Sequence, residues 1–252
     1  MRRPLSSQPS ESTIASMSLE TDPSVRYWRG FYADARNGDE RLRTFGEALA
    51  SVSASGVWLD AGCGIGMLAR EFRRAGLRVC GVDISEARLA EAVHTTGLPL
   101  LTDGTPGPEE QLRRASVDRL PFEDARFDGV YSSSVLEYVP DLETALAELH
   151  RVVRPGGHLV FNMPNARSVF RRLYATLRGN SAYSRVVPRW AYARDEILGA
   201  LEMTGWDTQR VGHYGAERDV PGVPVFVPSA IRQPLTRRGW AAPFLLIVAR
   251  KR

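Results

Sequence analysis

Apolar and polar positions along the chain fall into blocks whose period switches between strand and helix. Val57 to Asp60 is a short apolar run, and residues 67–75 carry apolar side chains at helical spacing up to Gly76. Leu77 to Ile84 repeats the strand-like run, and 85–94 repeats the helical one. Residues 95–112 hold three glycines and three prolines, so a long turn-rich loop is expected there. A short third strand fits about Arg114 to Val117, and a fourth runs from Phe127 to Ser132. Leu142 to Val153 is again helical, stopped by Pro155-Gly156-Gly157, before a fifth strand at His158 to Met163. Helices are expected over about 166–177 and 194–203, with final strands at Trp206 to Tyr214 and Phe244 to Ala249. Strands alternating with helices predict an α/β fold, a mostly parallel sheet covered on both faces. Upstream, residues 1–24 are polar and Ser-rich and are expected to be disordered, leaving 25–252 as one domain. An aromatic cluster, Tyr27-Trp28-Arg29-Gly30-Phe31-Tyr32, then precedes a helix expected over 39–52.

The 252 residues are 43% hydrophobic and 25% charged, near the average for globular proteins. No run approaches the roughly 18 apolar residues of a membrane span. Two cysteines, Cys63 and Cys80, make neither a disulfide framework nor a four-thiolate zinc site. Met1-Arg2-Arg3-Pro4 and the polar sequence after it lack the apolar core of a secretory signal, so a cytoplasmic location is expected. The net charge of +4 is unevenly spread: residues 1–164 hold 18 basic and 23 acidic side chains, and residues 165–252 hold 15 and 6. The basic C-terminal third implies either an anionic partner or surface, or arginines that are merely solvated.

The sharpest motif is Leu59-Asp60-Ala61-Gly62-Cys63-Gly64-Ile65-Gly66, placed between a strand and a helix. Glycines there allow a tight turn and the close approach of a ligand, and the helix start favours a carboxylate or phosphate. A dinucleotide fingerprint would put glycine where Met67 stands, which disfavours a nicotinamide-dependent oxidoreductase. Asp83, at the end of the second strand, lies 17 residues past Gly66, where an acid can accept hydrogen bonds from both ribose hydroxyls.

Further motifs follow in order: Leu120-Pro121-Phe122, Phe127-Asp128-Gly129-Val130-Tyr131, Val135 to Asp141, and Arg154-Pro155-Gly156-Gly157-His158-Leu159. With this set, residues 55–165 resemble the class I S-adenosylmethionine-dependent methyltransferases of the small-molecule type. The resemblance implies a Rossmann-like seven-stranded sheet, mostly parallel, with helices on both faces and the last strand antiparallel. It implies S-adenosyl-L-methionine as cofactor, with Asp60, Gly62, Cys63, Gly64 and Gly66 around the methionine portion. Asp83 would hold the ribose, Ser132 would lie beside the sulfonium, and Ile84 and Val117 would flank adenine. The family's usual adenine-binding acid is replaced by Ser116, with Asp118 two places on, so one or the other would bond the adenine amino group. Cys63 reads as a small loop residue and not a nucleophile, since no base accompanies it.

A base assists methyl transfer when the acceptor is a hydroxyl of high pKa. Ligands of open α/β sheets bind at the carboxyl ends of the strands. By that rule His94, His150 and His158 lie elsewhere, and His213 is the candidate base, with Tyr214 beside it. Asn162, Asn165 and Glu137 are placed to meet an acceptor, and the aromatic arm with Tyr27 and Tyr32 would close over it. Some quinone-precursor methyltransferases place a metal-binding Glu, Glu and His where this chain has Ser134, Glu137 and Tyr138, so no metal is expected. Residues 165–194, basic and aromatic, are expected to form a substrate lid with some membrane-surface contact, and 215–242 an insertion. The reading is therefore a methyltransferase for a small-molecule acceptor, anionic or of natural-product, sugar, quinone or lipid type, modified at oxygen, nitrogen or carbon. Its rivals are an RNA methyltransferase and a non-catalytic cofactor-binding protein; no DNA partner is expected.

Overall fold

The computed structural model describes residues 22–33, 35–101, 107–168, 190, 192–214, 242 and 244–252. Helix α1 (Pro23–Ala33) opens this part of the chain. The Asp22 carboxylate accepts from the backbone N–H of Ser24 at 2.7 Å and of Val25 at 3.2 Å. With Pro23 at the first helical position this is a standard helix start. Residues 22–24, expected within the disordered segment, instead form the start of this helix, and residues 1–21 lie outside the described ones. The aromatic cluster belongs to α1, and the next helix, α2 (Ala35–Ser51), begins four residues earlier than expected.

The strands and helices then alternate: β1 (Val57–Ala61), α3 (Met67–Arg74), β2 (Arg78–Asp83), α4 (Glu86–Thr96), β3 (Leu100–Leu101), β4 (Leu112–Arg114) and β5 (Phe127–Ser132). A single 3-10 turn at Leu136–Tyr138 leads to α5 (Leu142–Val152), β6 (Val153–Pro164), α6 (Arg194–Met203), β7 (Trp206–Tyr214) and β8 (Phe244–Lys251). The sheet order is β3-β4-β2-β1-β5-β6-β8-β7. Strand β8 is antiparallel to both β6 and β7, and the pairings from β3 to β6 are parallel. The sheet has eight strands where seven were expected, because two residues inside the turn-rich loop, Leu100 and Leu101, pair with β4. The third expected strand is displaced to Leu112–Arg114, so that Ser116 and Val117 follow it in a turn. Strand β6 begins at Val153, five residues early; Pro155 disfavours helix immediately before it, and the chain turns straight into the sheet with a register shift opposite Phe127 to Gly129. Of the helix expected over 166–177, only 166–168 are described, and they form a turn.

The sheet's two faces read directly from alternation along β1. Val57, Leu59 and Ala61 join the core that includes Leu142, Leu146 and Leu149 of α5 and Ile197 and Leu201 of α6. Trp58 joins the opposite core with Phe45 and Leu49 of α2, Phe72 of α3 and Tyr131 of β5. Both layers are fully packed, and they leave the loops at the carboxyl ends of β1, β2 and β5 as the place where polar groups converge. At the other end, Lys251 of β8 donates from Nζ to the carbonyls of His150 and Val153, both at 2.7 Å, satisfying the C-terminus of α5. Among the described residues no helix is long and apolar enough to cross a membrane.

Candidate functional site

An open cleft sits over the carboxyl end of β1, lined by the glycine loop, Asp60, Arg41 and Ser134 among others. Its floor is the glycine loop. The N–H groups of Gly62 and Cys63 both donate to the Val82 carbonyl at 2.8 Å, folding the loop across β2. Gly62 has φ 83° and a Cβ there would lie 2.1 Å from Val135, so no other residue fits. Gly64, at φ 56°, has nothing within 4 Å of its Cβ direction: the chain is bare where the cleft opens. Gly66 lies behind, as the N-cap of α3, against Thr96 and Ala92.

Asp60, the penultimate residue of β1, is 2% exposed, and its Oδ2 has no hydrogen-bond partner. Burial pushes its pKa up to about 8; the Tyr131 hydroxyl opposes this and the charge of Asp83 adds to it. Asp83 is also buried, yet well supplied: it accepts from Gly64 N–H and Ser85 N–H at 2.9 Å, and Arg88 pairs with it at 3.2 Å. The same surroundings, burial above all, push the Cys63 thiol well above its usual range, which leaves it un-ionised and unreactive.

The roof comes from the N-terminal helices. Trp28 and Tyr32 of α1 line the cleft together with Arg41 of α2. Arg41 is 2% exposed, donates to Ser133 Oγ at 3.1 Å, and lies 4.7 Å from the Phe31 ring and 5.3 Å from the Trp28 ring. Helix α1 is tied down by Arg29, whose Nε and Nη2 donate to the two carboxylate oxygens of Glu91 on α4 at 2.8 and 2.5 Å. Those hydrogen bonds hold the Glu91 carboxyl below its ordinary pKa against an opposing desolvation.

The expected site residues divide accordingly. Asp60, Gly62, Cys63, Gly64 and Tyr32 line the cleft, and Asp83 braces its floor. Ile84, 60% exposed, presents an apolar side chain at the rim. Val117 is buried in the core, while Ser116 and Asp118 on either side are partly exposed. The Ser132 hydroxyl is spent on the Ala61 carbonyl at 2.8 Å, tying β5 to β1, so the groups facing the cleft are Ser133 and Ser134. Tyr27 is half exposed and packs edge-on against Trp28. Glu137 is fully buried, its carbonyl accepting from Trp190 N–H. Asn165 donates to the Ala242 carbonyl.

His213 is not brought to the cleft. It is exposed on the edge strand β7, four strand spacings from β1, or about 19 Å at about 4.8 Å per strand. Tyr214 pairs with Phe244 on the same edge. Reading which end of a strand a residue occupies does not say how far across the sheet it lies. Trp28, of the expected aromatic arm, lines the cleft with Tyr32, whereas Arg41, Arg88, Ser133 and Ser134 were not anticipated; their convergence depends on the packing of separate elements, which no local pattern encodes. No grouping of three or more His, Cys, Asp or Glu suited to a metal occurs among the described residues.

Residues 59–161 match the family model described as a methyltransferase domain. A ubiquinone biosynthesis O-methyltransferase of Alkalilimnicola ehrlichii is 33% identical over 150 residues, covering 59% of this chain and 57% of that protein. A malonyl-[acyl-carrier protein] O-methyltransferase of Erwinia billingiae is 35% identical over 132 residues, 50% of this chain and 47% of its own length. The chain thus spans about half the length of these curated relatives. In fold it is similar to a magnesium protoporphyrin IX methyltransferase from Synechocystis solved with bound SAH, at a TM-score of 0.65 and 16% identity, over 96% of this chain and 100% of that one.

Proposed function

We propose that this chain, a member of the class I S-adenosylmethionine-dependent methyltransferases, transfers a methyl group from S-adenosylmethionine to an oxygen atom of a small-molecule acceptor. One observation carries the reading: a buried carboxylate with an unpartnered oxygen, Asp60, shares a cleft with the bare backbone of Gly64 and the buried guanidinium of Arg41. That donor set fits an amino-acid zwitterion, with its ammonium at Asp60 and its carboxylate at Arg41. Trp28 and Tyr32 give the cleft aromatic faces suited to a sulfonium. Asp83 is left for the ribose hydroxyls, Ile84 for one face of adenine, and Ser116 or Asp118 for its amino edge.

When bound, S-adenosylmethionine supplies a methyl group on a positively charged sulfur. The chain's own residues align it and keep water out, which is where most of the acceleration of a direct displacement arises. Oxygen is the proposed methylated atom because the two curated relatives described above are named O-methyltransferases. The acceptor is of natural-product, sugar, quinone or lipid type; most of the segment expected as its lid, residues 165–194, and the expected insertion 215–242 lie outside the described residues. The reducing cytoplasm is the proposed compartment, in keeping with free, buried Cys63 and Cys80.

Calorimetric titration with S-adenosylmethionine and S-adenosylhomocysteine tests the reading. Both bind the wild type, and D60N and D83A bind at least tenfold more weakly. Absence of binding heat with either compound, on protein shown to be folded, refutes it.

A further inference from the structure

We infer that the Ser134 hydroxyl, oriented by Asn162, is the hydrogen-bond donor that holds an ionised oxygen of the acceptor, so that the substrate presents a carboxylate or phenolate and not an amine. This rests on the function proposed above and adds to it the class of acceptor and the residues that select it.

Ser134 stands two residues past the end of β5, 6% exposed, and lines the cleft. Its φ of 57° is left-handed, a conformation a serine holds only where its surroundings impose it. Asn162 of β6, 1% exposed, does the imposing. The backbone N–H of Ser134 donates to Asn162 Oδ1 at 2.7 Å, and Asn162 Nδ2 donates to Ser134 Oγ at 3.2 Å. An N–H can only donate, so the first bond fixes which end of the amide is oxygen and leaves Nδ2 facing the hydroxyl. Ser134 Oγ is thereby an acceptor toward Asn162, and its hydrogen is directed elsewhere. No described residue receives it, and Ser134 lines the cleft, where an acceptor oxygen can take it.

The side of the cleft matters. Asp83 ends β2 and Asp60 lies near the end of β1, so an adenosyl cofactor runs over those two strands. Strands β5 and β6 come next in the sheet, and the acceptor reaches the methyl group from there. Ser134 and Asn162 are the polar pair on that side.

A donor placed there discriminates between nucleophiles. A neutral amine has one lone pair, and a hydrogen bond from Ser134 would occupy the pair needed for attack. An oxyanion has three, so one can attack while another accepts from Ser134. In the transfer, an oxygen lone pair forms the C–O bond as the C–S bond breaks. The negative oxygen and the positive sulfur are both neutralised, giving a methyl ester or ether and a thioether, with no proton to remove.

The test is titration of the protein loaded with S-adenosylhomocysteine, using benzoate, 4-nitrophenolate and benzylamine as probes. At least one oxyanion binds the wild type, and whichever binds more tightly identifies carboxylate or phenolate as the acceptor group. Benzylamine binds at least tenfold more weakly. S134G removes the hydroxyl while suiting the left-handed backbone, and it weakens oxyanion binding at least tenfold with S-adenosylhomocysteine affinity within twofold. N162D reverses the polarity of the orienting group: its ionised carboxylate accepts the Ser134 hydrogen, so oxyanion binding falls as pH rises through the titration of the introduced carboxyl, while the wild type shows no such fall. Benzylamine binding as tightly as the oxyanions, oxyanion affinity unchanged in S134G, or no oxyanion binding at all overturns the inference. Failure of the wild type to bind S-adenosylhomocysteine instead overturns the function beneath it, so the two failures are told apart.

Discussion

At the residue scale, Asp60 makes cofactor capture a proton-coupled event. Its carboxyl is pushed up to about 8 in the unliganded protein, so the folded chain carries a proton there at pH 7 that the unfolded chain does not. The sign follows: between the ordinary carboxylate range and about 8 the native state binds more protons, and this group's contribution to stability falls as pH rises. An ammonium beside Asp60 reverses the preference and expels the proton. Calorimetry of S-adenosylmethionine binding at pH 7 in buffers of different ionisation enthalpy is expected to show release of nearly one proton, absent in D60N. Gly64→Ala separates fold from binding: the left-handed φ costs on the order of 1 kcal/mol, whereas the methyl group projects into the cleft and lowers affinity at least tenfold. His213→Asn, on the edge strand, is expected to change kcat by less than twofold.

At the element scale, α1 covers one side of the cleft and is fastened to α4 by Arg29 on Glu91. The pair is partly exposed, 50% and 19% for its side chains, so breaking it costs little stability, about 0.2–1 kcal/mol. R29A is therefore expected to leave the melting temperature within a few degrees while speeding S-adenosylhomocysteine release several-fold, read from Trp28 fluorescence in a stopped-flow trace. Helix α1 also marks where sequence reading stops. The strand–loop–helix pattern around Asp60 is written in neighbouring residues, and β5, α6 and β7 lie within the limits that periodicity predicts. Tyr27 to Tyr32 show only an aromatic cluster. That this cluster is helical, and that Trp28 and Arg41 meet above a loop more than 20 residues away, depends on packing. Ser132 was misread for a related reason: three successive serines look alike in sequence, and only the partners of their hydroxyls separate a tie between strands from a donor in the cleft.

At the scale of the whole molecule, the two packed faces of the sheet make the site a rigid rim on a deep core. Leu146 of α5 is fully buried, and Leu146→Ala is expected to cost about 2–5 kcal/mol, lowering the denaturant midpoint while the remaining native protein binds cofactor with unchanged affinity. The parallel sheet was legible because buried strands and amphipathic helices carry distinct periods. The eighth strand was not, since two residues are too few to show one.

The single lysine of the chain, spent on two carbonyls at the close of α5, has one more consequence. An amine-directed reagent finds no other side chain to attack, and this one is engaged whenever β8 is seated. The pace of acylation at Lys251 therefore times the detachment of the C-terminal strand, and it offers a chemical clock for partial opening of a protein otherwise rich in arginine.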